Sequence, residues 1–181
     1  VGSEMCIRDR KNGDRVELVL PMHLTMRTWQ VNKNSVSVNY GPLTLSLKIG
    51  EEFIRRDSRE TAIGDSKWQK GADAENWPSY EIHPTTAWNY ALVLGEKDPL
   101  EGFEVVKKSW PSDNFPFTPG NVPLEVKAQG RRIPSWKIDK YGLCAVLPET
   151  DAPKSPQIEN ITLIPMGAAR LRISAFPAVS E

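Results

Sequence analysis

Apolar and polar residues alternate through much of this chain. In residues 15–21 the apolar side chains of Val16, Leu18 and Leu20 fall on one face of an extended strand. The same period of two continues on both sides of Gly41-Pro42, at Val36, Val38, Tyr40, Leu43, Leu45, Leu47 and Ile49. This period is typical of a β-sheet with one buried and one solvated face. Gly41-Pro42 predicts a bend or a bulge, because proline cannot donate to a strand ladder.

The pattern returns near the C-terminus. Residues 122–128 alternate, and so do residues 169–175 after the Pro-x-Gly turn of "LIPMG", so we predict a hairpin over residues 161–176. No window carries an apolar stripe at helical spacing, and proline is frequent, 15 of 181 residues. The sequence therefore predicts an all-β fold, an antiparallel β-sandwich formed as one domain or as two small β units.

Composition suggests a division of the chain. We expect a β-sandwich over residues 11–98 and a second β unit over residues 99–181, with the boundary at "GEKDPLEG", residues 95–102. Residues 50–78 are polar and charged and predict a long insertion loop with one helical turn. Residues 111–121 predict a proline-rich connector.

The first ten residues need separate treatment. "SEMCIRDR" resembles a stretch that recurs at the ends of unrelated translated metagenomic contigs, as adaptor read-through would produce. We therefore expect residues 1–10 to be a non-native leader and native sequence to begin near Lys11. This stretch also lacks the apolar region of a signal peptide.

Charge and cysteine content exclude several classes of function. Lysine plus arginine and aspartate plus glutamate each number 23, so a zero net charge gives no general attraction to nucleic acid or to an anionic membrane. No apolar run reaches the 18 residues of a membrane span. Of the two cysteines, Cys6 lies in the leader, and Cys144 is expected to be a small buried apolar residue.

The segment "SYEIHPTTAWNYALVLG", residues 79–95, concentrates aromatic and polar side chains. Trp88 and Tyr90 share a face with Leu92 and Leu94, which predicts a buried strand with aromatic residues in the core and Asn89 bonding backbone groups in a turn. The alternative is a rim formed by Trp88, Tyr90 and His83 that contacts a sugar. Both interpretations stay open at this stage.

Motifs for catalysis and metal binding are weak. His23, His83 and Cys144 lack the spacing of a metal site, and no G-x-S-x-G elbow is present. Carboxylates that could serve a glycosidase lie in polar stretches and are expected on a solvated surface: Glu51, Glu52, Asp57, Glu81, Glu101 and Glu104. We therefore predict no catalytic residue and no metal ligand in this chain.

Four separated stretches resemble one family in its own order. "GDRVELVLPMHLTMRTW" with "NSVSVNYGPLTLSL", then "SYEIHPTTAWNYAL", "GRRIPSWKID" and "ENITLIPMGAARLRISAFP" are similar to the C-terminal β-sandwich region of glycoside hydrolase family 127. That family contains bacterial β-L-arabinofuranosidases and relatives formerly grouped as a domain of unknown function. One departure is Met166, where an aromatic residue is expected.

The resemblance implies a supporting role. The chemistry of the family lies in a preceding (α/α) barrel, where a zinc ion held by cysteine thiolates and a glutamate accompanies a cysteine nucleophile, and another glutamate acts as acid/base. Cys144 does not stand in a matching context, so no catalytic residue and no zinc ligand is carried over. The implied protein is bacterial, periplasmic or extracellular rather than cytoplasmic, and the implied partner is the catalytic barrel of the same parent chain.

Three functions follow for comparison: a non-catalytic accessory module of a glycoside hydrolase, an autonomous carbohydrate-binding module, and a free-standing hydrolase that uses surface carboxylates. For contact with a plant-type glycan the candidates are Trp68 and Trp77 of the predicted loop together with Trp88, Tyr90 and His83. Trp68 and Trp77 have a simpler alternative role, which is to hold the loop against its own domain.

Overall fold

A computed structural model describes residues 11–56 and 78–180, and within these ranges the protein is almost entirely β-structure. The all-β, antiparallel fold class predicted from the alternation is confirmed. The strands are β1 (Leu24–Trp29), β2 (Ser35–Tyr40), β3 (Leu43–Leu47), β4 (Glu51–Arg56), β5 (Ser79–Pro84), β6 (Tyr90–Leu94), β7 (Glu104–Lys107), β8 (Leu124–Arg132), β9 (Ile158–Pro165) and β10 (Ala178–Ser180).

One curled sheet contains most of these strands, in the order β1-β2-β3-β9-β8-β6-β10, and it forms a sandwich-like half-barrel. Strand β8 is long enough to pair with β9 along one edge and with both β7 and β6 along the other. All pairs are antiparallel except β6 with β10, which is parallel. Strands β4 and β5 form a separate two-stranded sheet.

The main sheet crosses the boundary that we predicted at residues 95–102. Strand β3 precedes the boundary and pairs with β9, which follows it, and β6 pairs with β8 in the same way. These pairings place strands from both sides of the boundary in one hydrogen-bonded sheet. Residues 111–121 form a connector without strands, as predicted.

The core is formed mainly by residues of this sheet. Val38, Leu45 and Leu163 are completely buried there, at the positions where alternation places inward-facing residues. Gly41-Pro42 makes a two-residue turn between β2 and β3, and Gly41 has a φ of +55°, a conformation that favours glycine. The core cluster comprises Val36, Val38, Leu45, Leu47, Ile49, Tyr90, Ala91, Leu92, Val126, Ala128, Ile133, Trp136, Ile161, Leu163, Ile173 and Phe176.

The prediction of a hairpin over residues 161–176 is wrong in its second strand, which does not form. After β9 a single 3₁₀ turn, Met166–Ala168, directs the chain away, and residues 169–177 do not pair with β9. This segment instead enters the gap between β2 and β3. The Leu47 N–H donates to the carbonyl of Ile173, and Val36 and Phe176 exchange backbone hydrogen bonds. The alternation in this segment therefore reflects packing between strands.

Other local predictions also need correction. The strand expected at Val16, Leu18 and Leu20 does not form, because residues 15–21 pair with no described strand and their side chains are exposed. The predicted loop over residues 50–78 begins with a strand, β4, and residues 57–77 lie outside the described ranges. The solvated face expected for β2 is absent, because Ser35 and Ser37 are buried as well as the valines.

Candidate functional site

The five residues predicted to contact a glycan do not form one described site. Trp68 and Trp77 lie outside the described residues. His83 is exposed on β5, where its Nε2 lies 3.1 Å from Oε2 of Glu81. Trp88 is half-buried and packs edge-to-face on Trp136, with the ring centroids 5.1 Å apart. Tyr90 is buried in the core, so the buried-strand interpretation fits Trp88 and Tyr90 better than a sugar-contacting rim.

Asn89 performs the backbone role predicted for it. Its side-chain amide donates to the carbonyls of Ile133 at 2.8 Å and Trp136 at 3.1 Å, and these carbonyls belong to the turn that follows β8. The same turn donates back, because the Ile133 N–H bonds to the Asn89 carbonyl. Asn89 therefore joins β6 to the turn that carries the buried Trp136.

Replacing Asn89 by alanine should lower the free energy of unfolding by about 1–3 kcal/mol, because it leaves two backbone carbonyls without their donor. Urea unfolding followed by circular dichroism measures this change. Asn160→Ala is a matched control, since Asn160 is exposed and makes no side-chain hydrogen bond among the described residues. Equal losses for the two variants would contradict the assigned role of Asn89.

The Tyr90 hydroxyl belongs to a polar network beside the core. It donates to Oε2 of Glu159 at 2.8 Å, and Arg132 binds the same carboxylate at 2.7 Å through Nε. Burial and the Glu159 hydrogen bond raise the pKa of Tyr90, whereas the hydrogen bond from Arg132 lowers the pKa of Glu159. Gly130 permits this arrangement, since a Cβ there would lie 3.1 Å from the Tyr90 ring. The tyrosine is thus held protonated as a structural donor.

A buried carboxylate, Glu125 on β8, is surrounded by three lysines. The Nζ atoms of Lys48 and Lys108 each lie 2.7 Å from Oε1, and the Nζ of Lys127 lies 3.3 Å from Oε2. Burial alone would raise the pKa of Glu125, but the hydrogen bonds from Lys108 and Lys48 outweigh it and lower that pKa to about 2. Glu125 is therefore ionised and paired, which suits an ionic cross-link between strands better than proton transfer.

Sequence reasoning missed this cluster. The alternation marks position 125 as outward-facing, and the three lysines come from different parts of the chain, so no spacing brings them together. Glu51 was also expected on a solvated surface, but only 8% of its side chain is exposed. It accepts hydrogen bonds from the backbone N–H groups of Arg170 and Leu171. Both carboxylates are occupied by structural partners.

Glu81 and His83 form the nearest approach to an acid/base pair. Arg56 binds the same oxygen of Glu81 at 3.0 Å, and the hydrogen bonds from Arg56 and His83 lower the pKa of Glu81. All three side chains are largely exposed on the β4–β5 sheet. An exposed pair in water lacks the low dielectric that makes such groups effective in catalysis.

The described residues do not fit a metal centre. Within residues 11–56 and 78–180, no three His, Cys, Asp or Glu side chains come close enough to hold an ion, so these residues do not fit the zinc ion that the resemblance places in the barrel. Cys144 is exposed, which corrects the prediction that it is buried. It lies in a surface loop organised by Asp139, whose carboxylate accepts the N–H groups of Tyr141 and Leu143.

Exposed apolar side chains occur in two parts of the domain. Residues 16–20 form the first part, with 72–77% exposure at Val16, Leu18, Val19 and Leu20. This segment reaches the folded body at Met22, which packs against Gly41. A cleft of about 400 Å³, which begins at Pro42 next to Gly41 in the sequence, forms the second part and is lined mainly by apolar side chains, among them Leu43, Leu124, Trp110, Phe117 and Met166. We refer to residues 16–20 and this cleft together as the apolar surface.

Among the described helical segments, none is long and apolar enough to cross a bilayer. No family model matches the chain, and neither a curated protein nor a solved structure matches it.

Proposed function

We propose that this chain is a non-catalytic accessory β-domain of a glycoside hydrolase that acts on L-arabinofuranosyl-type glycans. In this proposal the domain packs against the catalytic (α/α) barrel of the same parent protein and stabilises or shapes it. The observation that carries the proposal is the apolar surface formed by residues 16–20 and the cleft that begins at Pro42. The resemblance of four sequence stretches to family 127 supports the substrate class.

The exposed apolar side chains of residues 16–20 favour a protein partner, because large exposed apolar patches mark protein interaction sites. Burying one Val or Leu side chain is worth about 1.5–3 kcal/mol, so the four apolar side chains of residues 16–20 supply a substantial driving force. The exposed rings of Trp110 and Phe117, at 61% and 59% exposure, add residue types that are enriched at interfaces.

The polar groups support a scaffolding role. Glu51, Glu125 and Glu159 are each engaged by backbone N–H groups, lysine or arginine. Such pairs hold strands and loops in place, and they engage these three carboxylates in structural contacts rather than leaving them free for the paired-carboxylate chemistry of glycoside hydrolysis. A domain built in this way can fix the position of barrel loops without taking part in the reaction.

The reading frame upstream of this segment gives the first test. We expect it to encode a helical barrel with clustered Cys and Glu residues. The barrel, produced alone, should bind this chain in analytical ultracentrifugation. The double variant Leu18→Asp/Leu20→Asp should weaken that association by at least about tenfold, because two buried charges would face an apolar interface.

Val31→Asp is the matched control for this experiment. Val31 is fully exposed in the β1–β2 turn, away from the apolar surface, so the same charge placed there should leave association unchanged. The proposal fails if the barrel and the chain do not associate, or if both variants weaken the complex equally. Turnover of an aryl arabinofuranoside by the isolated chain would instead establish a free-standing hydrolase.

An autonomous carbohydrate-binding module is the second candidate. One observation favours it, namely a polar groove beside Trp29 that lies apart from the apolar surface. Glycan binding and packing against a barrel use different surfaces, so one domain can do both.

A further inference from the structure

A groove of about 460 Å³ lies on the face of β1, β2 and β3 that is turned away from the core, and we call it the Trp29 groove. Its volume is within the range of about 300–1,000 Å³ that is usual for small-molecule sites. Unlike the apolar cleft, it is lined mostly by residues with polar side chains, together with one indole ring. Its lining includes Arg27, Trp29, Ser37, Asn39, Thr44 and Ser174.

Strand register explains why these residues meet. Arg27 lies opposite Ser37, and Asn39 lies opposite Thr44, so alternate positions of three neighbouring strands share one face. The intervening positions, such as Met26 and Val38, pack in or against the core. Ser174 comes from the segment that enters between β2 and β3 and completes the groove.

Two contacts fix the aromatic part of the groove. The indole N–H of Trp29 donates to Oγ of Ser37 at 2.9 Å, which sets the orientation of the ring. The Arg27 guanidinium lies over the ring, with Cζ 3.8 Å from the ring centroid. Stacking leaves the guanidinium N–H groups without an acceptor among the described residues, so they can bond to a ligand.

Asn39 and Ser174 also carry hydrogen-bonding groups that have no partner among the described residues. The side-chain oxygen of Asn39 accepts from the Thr44 hydroxyl at 3.0 Å, and the Asn39 NH₂ has no acceptor among the described residues. The Ser174 hydroxyl oxygen is almost fully buried at the groove and has no hydrogen-bond partner within the described part of the chain. An unsatisfied buried hydroxyl costs about 1–3 kcal/mol, so such a group calls for a partner.

We infer that the Trp29 groove binds one ring of a neutral sugar. Vicinal sugar hydroxyls both accept and donate, so one can accept from the Asn39 NH₂ or the Arg27 guanidinium while its neighbour bonds with the Ser174 hydroxyl. The C–H groups of a sugar ring can pack against the stacked Arg27 and Trp29 planes. Among the described residues that line the groove, only Arg27 is charged, which favours a neutral ligand over a multiply charged anion.

The choice of a sugar as the ligand rests on the proposed function in a glycosidase. The groove itself and its donors without partners are features of the structure and do not depend on that proposal. The experiment therefore uses the isolated chain, without the barrel. Failure of sugar binding would leave association with the barrel untouched, and failure of that association would leave sugar binding untouched.

Titration of the isolated chain with methyl β-L-arabinofuranoside, followed by ¹H–¹⁵N correlation spectra, tests the inference. We expect the Trp29 indole signal, assigned through Trp29→Phe, to shift saturably with a dissociation constant on the order of 1 mM. Asn39→Ala and Ser174→Ala should each weaken binding by about tenfold, since each removes one hydrogen bond to the ligand. Backbone spectra of both variants confirm that the fold is retained.

Trp110→Ala is the matched control, because Trp110 is an exposed tryptophan of the apolar surface whose indole bonds to Asn114. It should bind the sugar as the parent chain does. The inference is overturned if the Trp29 signal does not move, or if sulfate saturates it and the sugar does not. Binding that is unaffected by Asn39→Ala and Ser174→Ala would also overturn it, and would indicate that an ordered water alone satisfies Ser174.

Discussion

Phe176→Ala should lower the free energy of unfolding by about 3–5 kcal/mol, the loss typical when a buried phenylalanine is cut back to alanine. The Phe176 side chain is completely buried in the core cluster. Its backbone also exchanges two hydrogen bonds with Val36, so the segment that it anchors closes the gap beside β2. A cavity at this point would remove apolar contacts in the core and would also weaken the packing of this segment beside β2.

Urea unfolding monitored by tryptophan fluorescence gives the measurement. Phe117→Ala is a matched control, because Phe117 is 59% exposed and packs mainly on Phe115. It should cost less than about 1 kcal/mol. A loss below about 1 kcal/mol for Phe176→Ala would show that residues 173–176 do not contribute to the core in the way described.

Glu125→Gln should remove the contribution that Glu125 makes to the acid dependence of stability in the window between pH 4.5 and about 2. The folded-state pKa of Glu125 is lowered from 4.5 to about 2, so its contribution is fully present above pH 4.5. As the pH falls through the window, the carboxylate takes up a proton and the contribution is lost. We expect the parent chain to exceed the variant by about 2 kcal/mol at pH 7, after allowing for the solvent exposure of the lysines.

Thermal unfolding at a series of pH values from 2 to 7 follows this difference. The two curves should converge as the pH falls towards 2, where about half of the folded-state Glu125 carboxylate carries a proton. Glu104→Gln is the control, because this substitution removes the same charge from an exposed position. Glu104 lies on β7 directly opposite Lys127. This variant should keep the acid window of the parent chain. Parallel curves for Glu125→Gln and the parent would contradict the ionic cross-link.

Alternation was sufficient to predict the strands whose one face is buried. Val36, Val38, Leu45 and Leu47 lie in the core, and β2 and β3 form over these residues as predicted. Alternation failed to predict the structure at Leu18, which is exposed. An alternating segment could bury one face as a strand, but it forms a strand only if a partner strand is available. Two-residue periodicity is a local property, whereas pairing depends on what the rest of the chain offers.

The candidate sites were less predictable than the strands. Asn89 was foreseen because an amide beside a strand commonly bonds the backbone of a turn. The Trp29 groove was not foreseen, since Ser174 lies far along the chain from Arg27 and meets it only through the unexpected path of residues 169–177. Polar positions on a strand look alike in sequence whether water or another segment covers them.

The path of residues 173–176 between β2 and β3 has a consequence for the order of assembly. Strands β1 to β3 are made early, and Val36 of β2 pairs with Thr28 on one side, but the edge of Val36 that faces away from β1 bonds to Phe176. Because synthesis proceeds at about 5–20 residues per second, the early hairpin waits for this partner with one edge open. Long sequence separation also slows such pairing. We therefore expect the domain to complete its folding only after its last strands have left the ribosome.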